Sequence, residues 1–312
     1  MSDAQKAVAL HLGFLGLIAA LGFILPPYHH GNMARILVLA TYAMGYNLLF
    51  GYAGLLSLGH AMFFAAGLYG AALTIEHLSW GVGTALAAGL VSGAGLALLV
   101  GSLALRTLGV AFMIVTLMFS QAVYLAILFF GDWTRGDEGF VIRNRVLLGF
   151  ELSEPGPRFT AAFILFAIAL LSFIIIVQSR FGRVLIAIRE NEDRTRMLGY
   201  NTFAHKLFAV VASGLFSAAS GASYGILFGY AGASFAGVQY SILPLLWVLL
   251  GGAGTTIGPF IGTFFAFYLI DIASGLTNAY MLVVGVVLIL ITLFARQGIG
   301  GEIRTRLWGW LP

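Results

Sequence analysis

Ser57 and His60 stand three residues apart in GYAGLLSLGH, a pair that could supply a nucleophile and its base. No acid lies within helical reach to orient the imidazole, so the pair does not read as a hydrolytic site. There is no G-x-S-x-G elbow and no H-E-x-x-H zinc helix. The two lysines, Lys6 and Lys206, both stand outside any G-x-x-x-x-G-K-[ST] phosphate loop, so the chain is not expected to hydrolyse ATP itself. His29, His30 and His77 fall in predicted external turns, where a solvated imidazole is the ordinary outcome. Asp271 is the main acid that could sit at membrane depth as a proton or ion relay. Its neighbours Ser274 and Asn278 place it at the border instead. The chain has no cysteine, which excludes disulfides, thiolate metal sites and a Cys nucleophile.

The other polar cluster reads as a cytoplasmic segment that would contact an intracellular partner. Arg180, Arg183, Arg189, Arg194, Arg196 and Lys206 crowd into one short stretch between apolar blocks. Short loops rich in Lys and Arg stay cytoplasmic, so this segment, 179 to 206, fixes the orientation of its neighbours. Within it the spacing predicts one helix over 184 to 198. Glu190 precedes Arg194 and Glu192 precedes Arg196 by four residues, Gly199 suits a left-handed cap, and Val184, Leu185, Ile188 and Leu198 form an apolar side.

The elements that carry these segments follow from composition. Of 312 residues 60% are hydrophobic and only 9% charged, with mean hydropathy +0.99, which no soluble globule shows. The chain reads as an all-α polytopic membrane protein with a single transmembrane domain over 1 to 312. The net charge of +4 sits at membrane borders and does not point to nucleic acid. Apolar blocks near 8 to 25, 34 to 50, 55 to 73, 82 to 105, 108 to 130, 159 to 178, 207 to 230 and 278 to 295 are eight crossings. The first lacks a small-residue cleavage site and reads as a retained helix. A longer block, 242 to 272, is broken by GGAGTTIGP (251 to 259) into a pair of short helices, making ten crossings if both reach through. Parity then puts Arg35 and Arg106 near headgroups, the long loop 132 to 158 outside, and the N terminus inside. Arg296, Arg304 and Arg306 draw the C terminus inside as well.

GYAGLLSLGH (51 to 60) and GGAGTTIGP share a G-x-A-G start and a following apolar run. Paired glycine-interrupted segments mark the midplane pathway of transporters with internal repeats, whereas glycine also serves plain helix packing. The pathway reading singles out Gly54, Ser57, Gly59 and His60 with Gly252, Gly254 and Thr255.

Three ordered segments carry a resemblance that spans nearly the whole chain: YAMGYNLLFGYAGLLSLGHAMFFAAGLYGAAL (42 to 73), RFGRVLIAIRENEDRTRMLGYNTFAHKL (180 to 207) and LLWVLLGGAGTTIGPFIGTFF (245 to 265), with a weaker match at 105 to 121. They are similar to the M-type permease subunits of branched-chain amino acid ABC importers. The resemblance implies a type II-like permease fold in a bacterial inner membrane. It also implies an alternating-access path shared with a paralogous second permease, a periplasmic solute-binding protein outside and two cytoplasmic ATPase subunits inside. The chain itself would be no enzyme and hold no cofactor, ATP and magnesium being used by those ATPases. Arg183, Arg189, Glu190, Asn191, Glu192, Arg194 and Gly199 would form the ATPase-coupling element. Two departures fall outside: Arg135 stands where a T-G-G-x-x-G segment has its first glycine, and 229 to 241 lacks a proline. Both bear on the solute, leaving import of urea or short amides, or of aromatic carboxylates, as alternatives. Without the motifs, an ion-coupled secondary transporter using Asp271 or His60 would compete.

Overall fold

The computed structural model describes residues 3–306 except 144, 148, 278, 295 and 296; Asn278 and Arg296 therefore lie outside the described residues. The long helices are α1 (Asp3–Ile24), α2 (Pro27–Asn47), α3 (Ala61–Leu78), α4 (Val82–Ala104) and α5 (Val110–Phe129). A long connecting segment follows, with α6 (Gly131–Thr134), β1 (Phe140–Val141), β2 (Val146–Leu147) and β3 (Phe150–Glu151). Next come α7 (Pro155–Gln178), the short α8 (Arg180–Glu190) and α9 (Glu192–Met197), and the longest helix, α10 (Thr202–Phe228). β4 (Tyr230–Ala231), α11 (Val238–Gly251), α12 (Gly258–Leu276), α13 (Tyr280–Phe294) and α14 (Gly298–Arg306) complete the order. Among the described residues seven helices are long and apolar enough to cross a bilayer, and shorter apolar helices lie at Ala9–Ile24 and Val238–Gly251.

Small residues set the packing. α3, α4 and α10 form one tight layer, and α2 lies against α7 and α10 with α11 and α12 on its other flank. A Cβ on Gly67 of α3 would stand 2.2 Å from the Ala218 carbonyl oxygen of α10, and one on Gly221 of α10 would stand 2.0 Å from that of Phe64. Such backbone-to-backbone approach replaces the apolar driving force that lipid cannot provide.

The blocks at 82 to 105, 108 to 130 and 159 to 178 fall on α4, α5 and α7, and the break at 251 to 259 separates α11 from α12 as expected. Three expectations need correction. The span placed at 55 to 73 is displaced, because α2 runs on through a π-turn (Leu48–Tyr52) and α3 begins only at Ala61. The non-helical stretch before it survives because side chains satisfy its backbone: Leu58 N–H donates to Thr116 Oγ1 at 3.3 Å, Ala61 N–H to Ser241 Oγ at 2.9 Å, and the Ser57 carbonyl accepts Tyr46 Oη–H at 3.1 Å. His29 and His30 belong to the first turn of α2, since Pro27 presets the helical φ there and starts the helix upstream of them. His77 likewise lies in the last turn of α3, which runs on to Leu78, and not in a turn. In the loop at 132 to 158, β1 pairs with β4 and β2 with β3, both antiparallel. Within that loop Arg135 has φ +57°, the left-handed conformation for which glycine is better suited, which is where the T-G-G-x-x-G pattern carries one.

Candidate functional site: a junction of two glycine breaks and a basic helix

Both glycine-interrupted segments meet at the C-terminal ends of α2 and α11, and Asn47 joins them. Asn47 is fully buried; its Oδ1 accepts Gly254 N–H at 2.9 Å and its Nδ2 donates to the Thr255 carbonyl at 2.8 Å. A Cβ on Gly51 would lie 2.1 Å from Asn47 Oδ1 and 2.5 Å from the Gly254 nitrogen, so only glycine allows this contact. Arg189, from α8, closes the junction: its Nη1 donates to the Gly51 carbonyl. A Cβ on Gly54 (φ +71°) would meet Arg189 Cγ at 2.9 Å, and one on Gly254 (φ +76°) would meet Arg189 Nη1 at 3.4 Å. A cavity of about 580 Å³ opens there, lined by Gly51, Ile186, Arg189, Gly254, Thr255 and Gln297 among others.

The remaining sequence-derived residues divide. Gly252 (φ +108°) packs beneath Gln297 and Gly301, and Thr255 Oγ1 donates to the Gly252 carbonyl at 2.7 Å. Gly59 abuts the Thr116 carbonyl, where a Cβ would come within 1.9 Å. His60 is wholly enclosed, its ring 5.0 Å from Tyr46 and 5.7 Å from Tyr42. Its Nε2 lies 3.1 Å from Ser213 Oγ and 2.9 Å from Ser217 Oγ. Those hydroxyls donate to the Gly45 and Ser213 carbonyls, so Nε2 must be the donor toward them. His60 thus ties α3 to α10 and has no free Nε2 lone pair with which to activate a hydroxyl. Ser57 is not its partner: Ser57 Oγ accepts Gly59 N–H at 3.3 Å. Asp271 sits beside the N-terminal end of α2, its two oxygens each 2.9 Å from Tyr28 Oη.

The basic segment is two helices, not one over 184 to 198. Asn191 breaks it with φ −159° and ψ 102°, and its Oδ1 caps α9 by accepting Arg194 N–H at 2.9 Å. The break sets Glu190 and Arg194 on separate helices, and no ion pair joins them among the described residues. Glu192 pairs as spaced with Arg196 at 3.3 Å and also with Lys206 of α10 at 2.7 Å. Val184, Leu185 and Ile188 are buried, whereas Leu198 is 71% exposed because the turn at Gly199 (φ +89°) directs it outward. Arg183, Arg194 and Gly199 are exposed.

Burial alone would raise the Glu192 carboxyl, but the hydrogen bond and charge of Lys206, the Thr202 hydroxyl and Arg196 outweigh it and hold the group below its ordinary 4.5. The resulting stability is complete above that ordinary value and fades as pH falls through the lowered one. Lys206→Met is expected to speed amide exchange in residues 192 to 199 roughly tenfold at pH 7, an effect that shrinks toward pH 3 as the carboxyl protonates in both proteins. Equal exchange in the two proteins at pH 7 would show that the pair does not hold α9.

Sequence reasoning missed Asn47 and Gly51, the residues that bind the two breaks to each other. Asn47 stands in the middle of an apolar run, and its signal was there: an amide inside a membrane helix needs partners.

Helices interrupted by glycine, joined across the bundle and contacted by a basic helical element between two spans, define a multi-pass membrane protein built for transport rather than for bond chemistry. The chain belongs to the family described as branched-chain amino acid transport system / permease component, whose profile matches residues 31–292. It is similar to the high-affinity branched-chain amino acid transport system permease protein LivM of Salmonella typhimurium, 27% identical over 281 aligned residues, covering 82% of this chain. The LivM protein of Escherichia coli is 26% identical over 280 residues, again covering 82% of this chain. The chain spans 66% of the length of each of these relatives. No solved structure matches it.

Proposed function

We propose that the chain is the membrane permease subunit of an ATP-driven importer that takes branched-chain amino acids from a periplasmic binding protein into the cytoplasm. It would work in a bacterial inner membrane beside a paralogous permease and above two ATPase subunits that use ATP and magnesium, with both termini cytoplasmic. The observation that carries this reading is Arg189, which reaches from the basic segment to both glycine breaks at once. A push on α8 is thereby delivered to the ends of α2 and α11 rather than absorbed in a loop. Met197 and Leu198, 87% and 71% exposed at the tip of α9, supply the apolar surface that an ATPase subunit would cover. Ten crossings are the count we favour. Tyr28 meets Asp271 at one end of α2 and Asn47 meets Thr255 at the other, so α12 traverses the same depth as α2, with α11 its descending partner.

Reconstitution tests the reading. In proteoliposomes holding this chain with its partner permease, ATPase subunits and loaded binding protein, leucine uptake should require ATP and survive collapse of the proton gradient. Uptake by this chain alone in ATP-free vesicles would instead favour the ion-coupled mechanism.

A further inference from the structure

Arg35 lies on α2, the most enclosed of the long helices, yet its side chain is exposed. Its neighbours along the helix, Ala34, Ile36 and Leu37, are buried. Its guanidinium stands 5.0 Å from the centre of the Phe228 ring at the outer end of α10, and Arg158 of α7 approaches the same ring at 5.7 Å. Arg145, on the outer loop, lies near enough that Arg158 feels the charges of both Arg145 and Arg35. Three guanidinium groups thus converge on one place and repel one another. Among the described residues none pairs with a carboxylate. Arg158 and Arg145 have only backbone carbonyls, of Leu152, Ser153 and Leu227, and Arg145 Nε is buried without a partner. Beside them Tyr224 and Tyr240 are half-buried in an aromatic cluster that continues from Phe228 down to Tyr42.

We infer that this cluster is an outer docking site for the carboxylate of the transported solute, with the Phe228, Tyr224 and Tyr240 rings receiving its apolar part. Guanidinium matches a carboxylate in a two-pronged geometry, and unpaired cations held together against repulsion gain most from an incoming anion. A zwitterionic amino acid would enter carboxylate first. Urea and short amides offer neither the charge nor the apolar body that the site addresses. The inference rests on the reading that this chain lines a solute path.

The test uses the purified complex and two probes of nearly one shape, isovalerate and isovaleramide, with binding measured by ligand-observed NMR. Isovalerate is expected to bind the wild-type complex at least tenfold more tightly, a difference of ~1.4 kcal/mol. Arg35→Gln should erase that preference, and Arg35→Lys, which keeps the charge but loses the fork, should retain part of it. Equal binding of acid and amide by the wild type overturns the site, whichever solute is transported. A preference that appears only in detergent free of anionic phospholipid, and vanishes when phosphatidylglycerol is added, assigns the cluster to lipid headgroups and also overturns it. A separate assay of leucine uptake shows whether the amino acid reading fails, since acid-over-amide binding can persist when leucine is not carried. Reduced affinity for the loaded binding protein, with the probe preference intact in Arg35→Gln, makes the cluster a protein-docking surface instead.

Discussion

Gly67→Val and Gly221→Val are expected to yield little or no folded protein, whereas Gly16→Val should be nearly silent. At Gly67 the nearest atoms to an added Cβ are the Ala218 carbonyl oxygen at 2.2 Å and Cα at 2.5 Å, all backbone, and at Gly221 they belong to the Phe64 and Leu68 backbones. Neither helix can yield locally, so the α3–α10 contact must open along its length. Ordinary overpacking costs about 1–3 kcal/mol when side chains can readjust. Backbone contact admits no such adjustment, and the loss then approaches the ~5–15 kcal/mol that holds a whole domain together. At Gly16, on the exposed side of α1, nothing lies within 4 Å of the new atom. Size-exclusion profiles and thermal unfolding of the three variants in detergent read the difference. A monodisperse Gly67→Val protein with unaltered unfolding temperature would show that α3 and α10 do not pack this closely.

Arg189→Ala should remove ATP-driven uptake while leaving the subunits assembled. The side chain lies at the surface of α8 with its stem against Gly54, and its hydrogen bond to the Gly51 carbonyl is the link between the basic segment and the two glycine breaks. A hydrogen bond to a charged donor contributes ~1.5–3 kcal/mol. Its loss should therefore lower coupled transport by about 10- to 100-fold, since each 1.4 kcal/mol is a factor of ten. ATP hydrolysis should continue, no longer matched to uptake. Arg183→Ala offers the comparison: that side chain bonds only to the Gln178 carbonyl at 3.1 Å on its own side of the membrane, and uptake should fall less than threefold. Uptake unchanged in Arg189→Ala would reduce the contact to a surface decoration.

Much of this architecture is legible in the chain because membrane spans announce themselves by length and hydropathy, and loops by charge. α4, α5 and α7 end within a few residues of where the apolar blocks end. The break between α11 and α12 could be read from four glycines and a proline in nine residues. Residues 54 to 60 could not be read the same way. LLSLGH is as apolar as a helix, and what keeps it extended are partners over fifty residues away in sequence, Thr116 and Ser241. The same limit applied to Asn191. Its side chain can face solvent within a helix or cap the next one, and the pull of Glu192 toward Lys206 accompanies the second outcome. The site residues followed suit: those on the basic segment and at Gly254 could be picked out by type and spacing, whereas His60 drew notice for its chemistry and proved to be an internal strut.

α10 is the longest helix of the chain, 27 residues, and so about 40 Å from end to end. Its N-terminal end is held by Lys206 to Glu192 of α9, and the strand that follows its C-terminal end is zipped to the loop after α6 through β1 and β4. A rod tied at both ends and packed along its length on α3 and α4 can move only with that layer, and a tilt of ~10° about its middle would displace each end by roughly 3–4 Å in opposite directions. Were that layer to tilt as one, a movement of α9 at one end would reach the loop at 140 to 141 at the other, along with Phe228 and the guanidinium groups gathered round it.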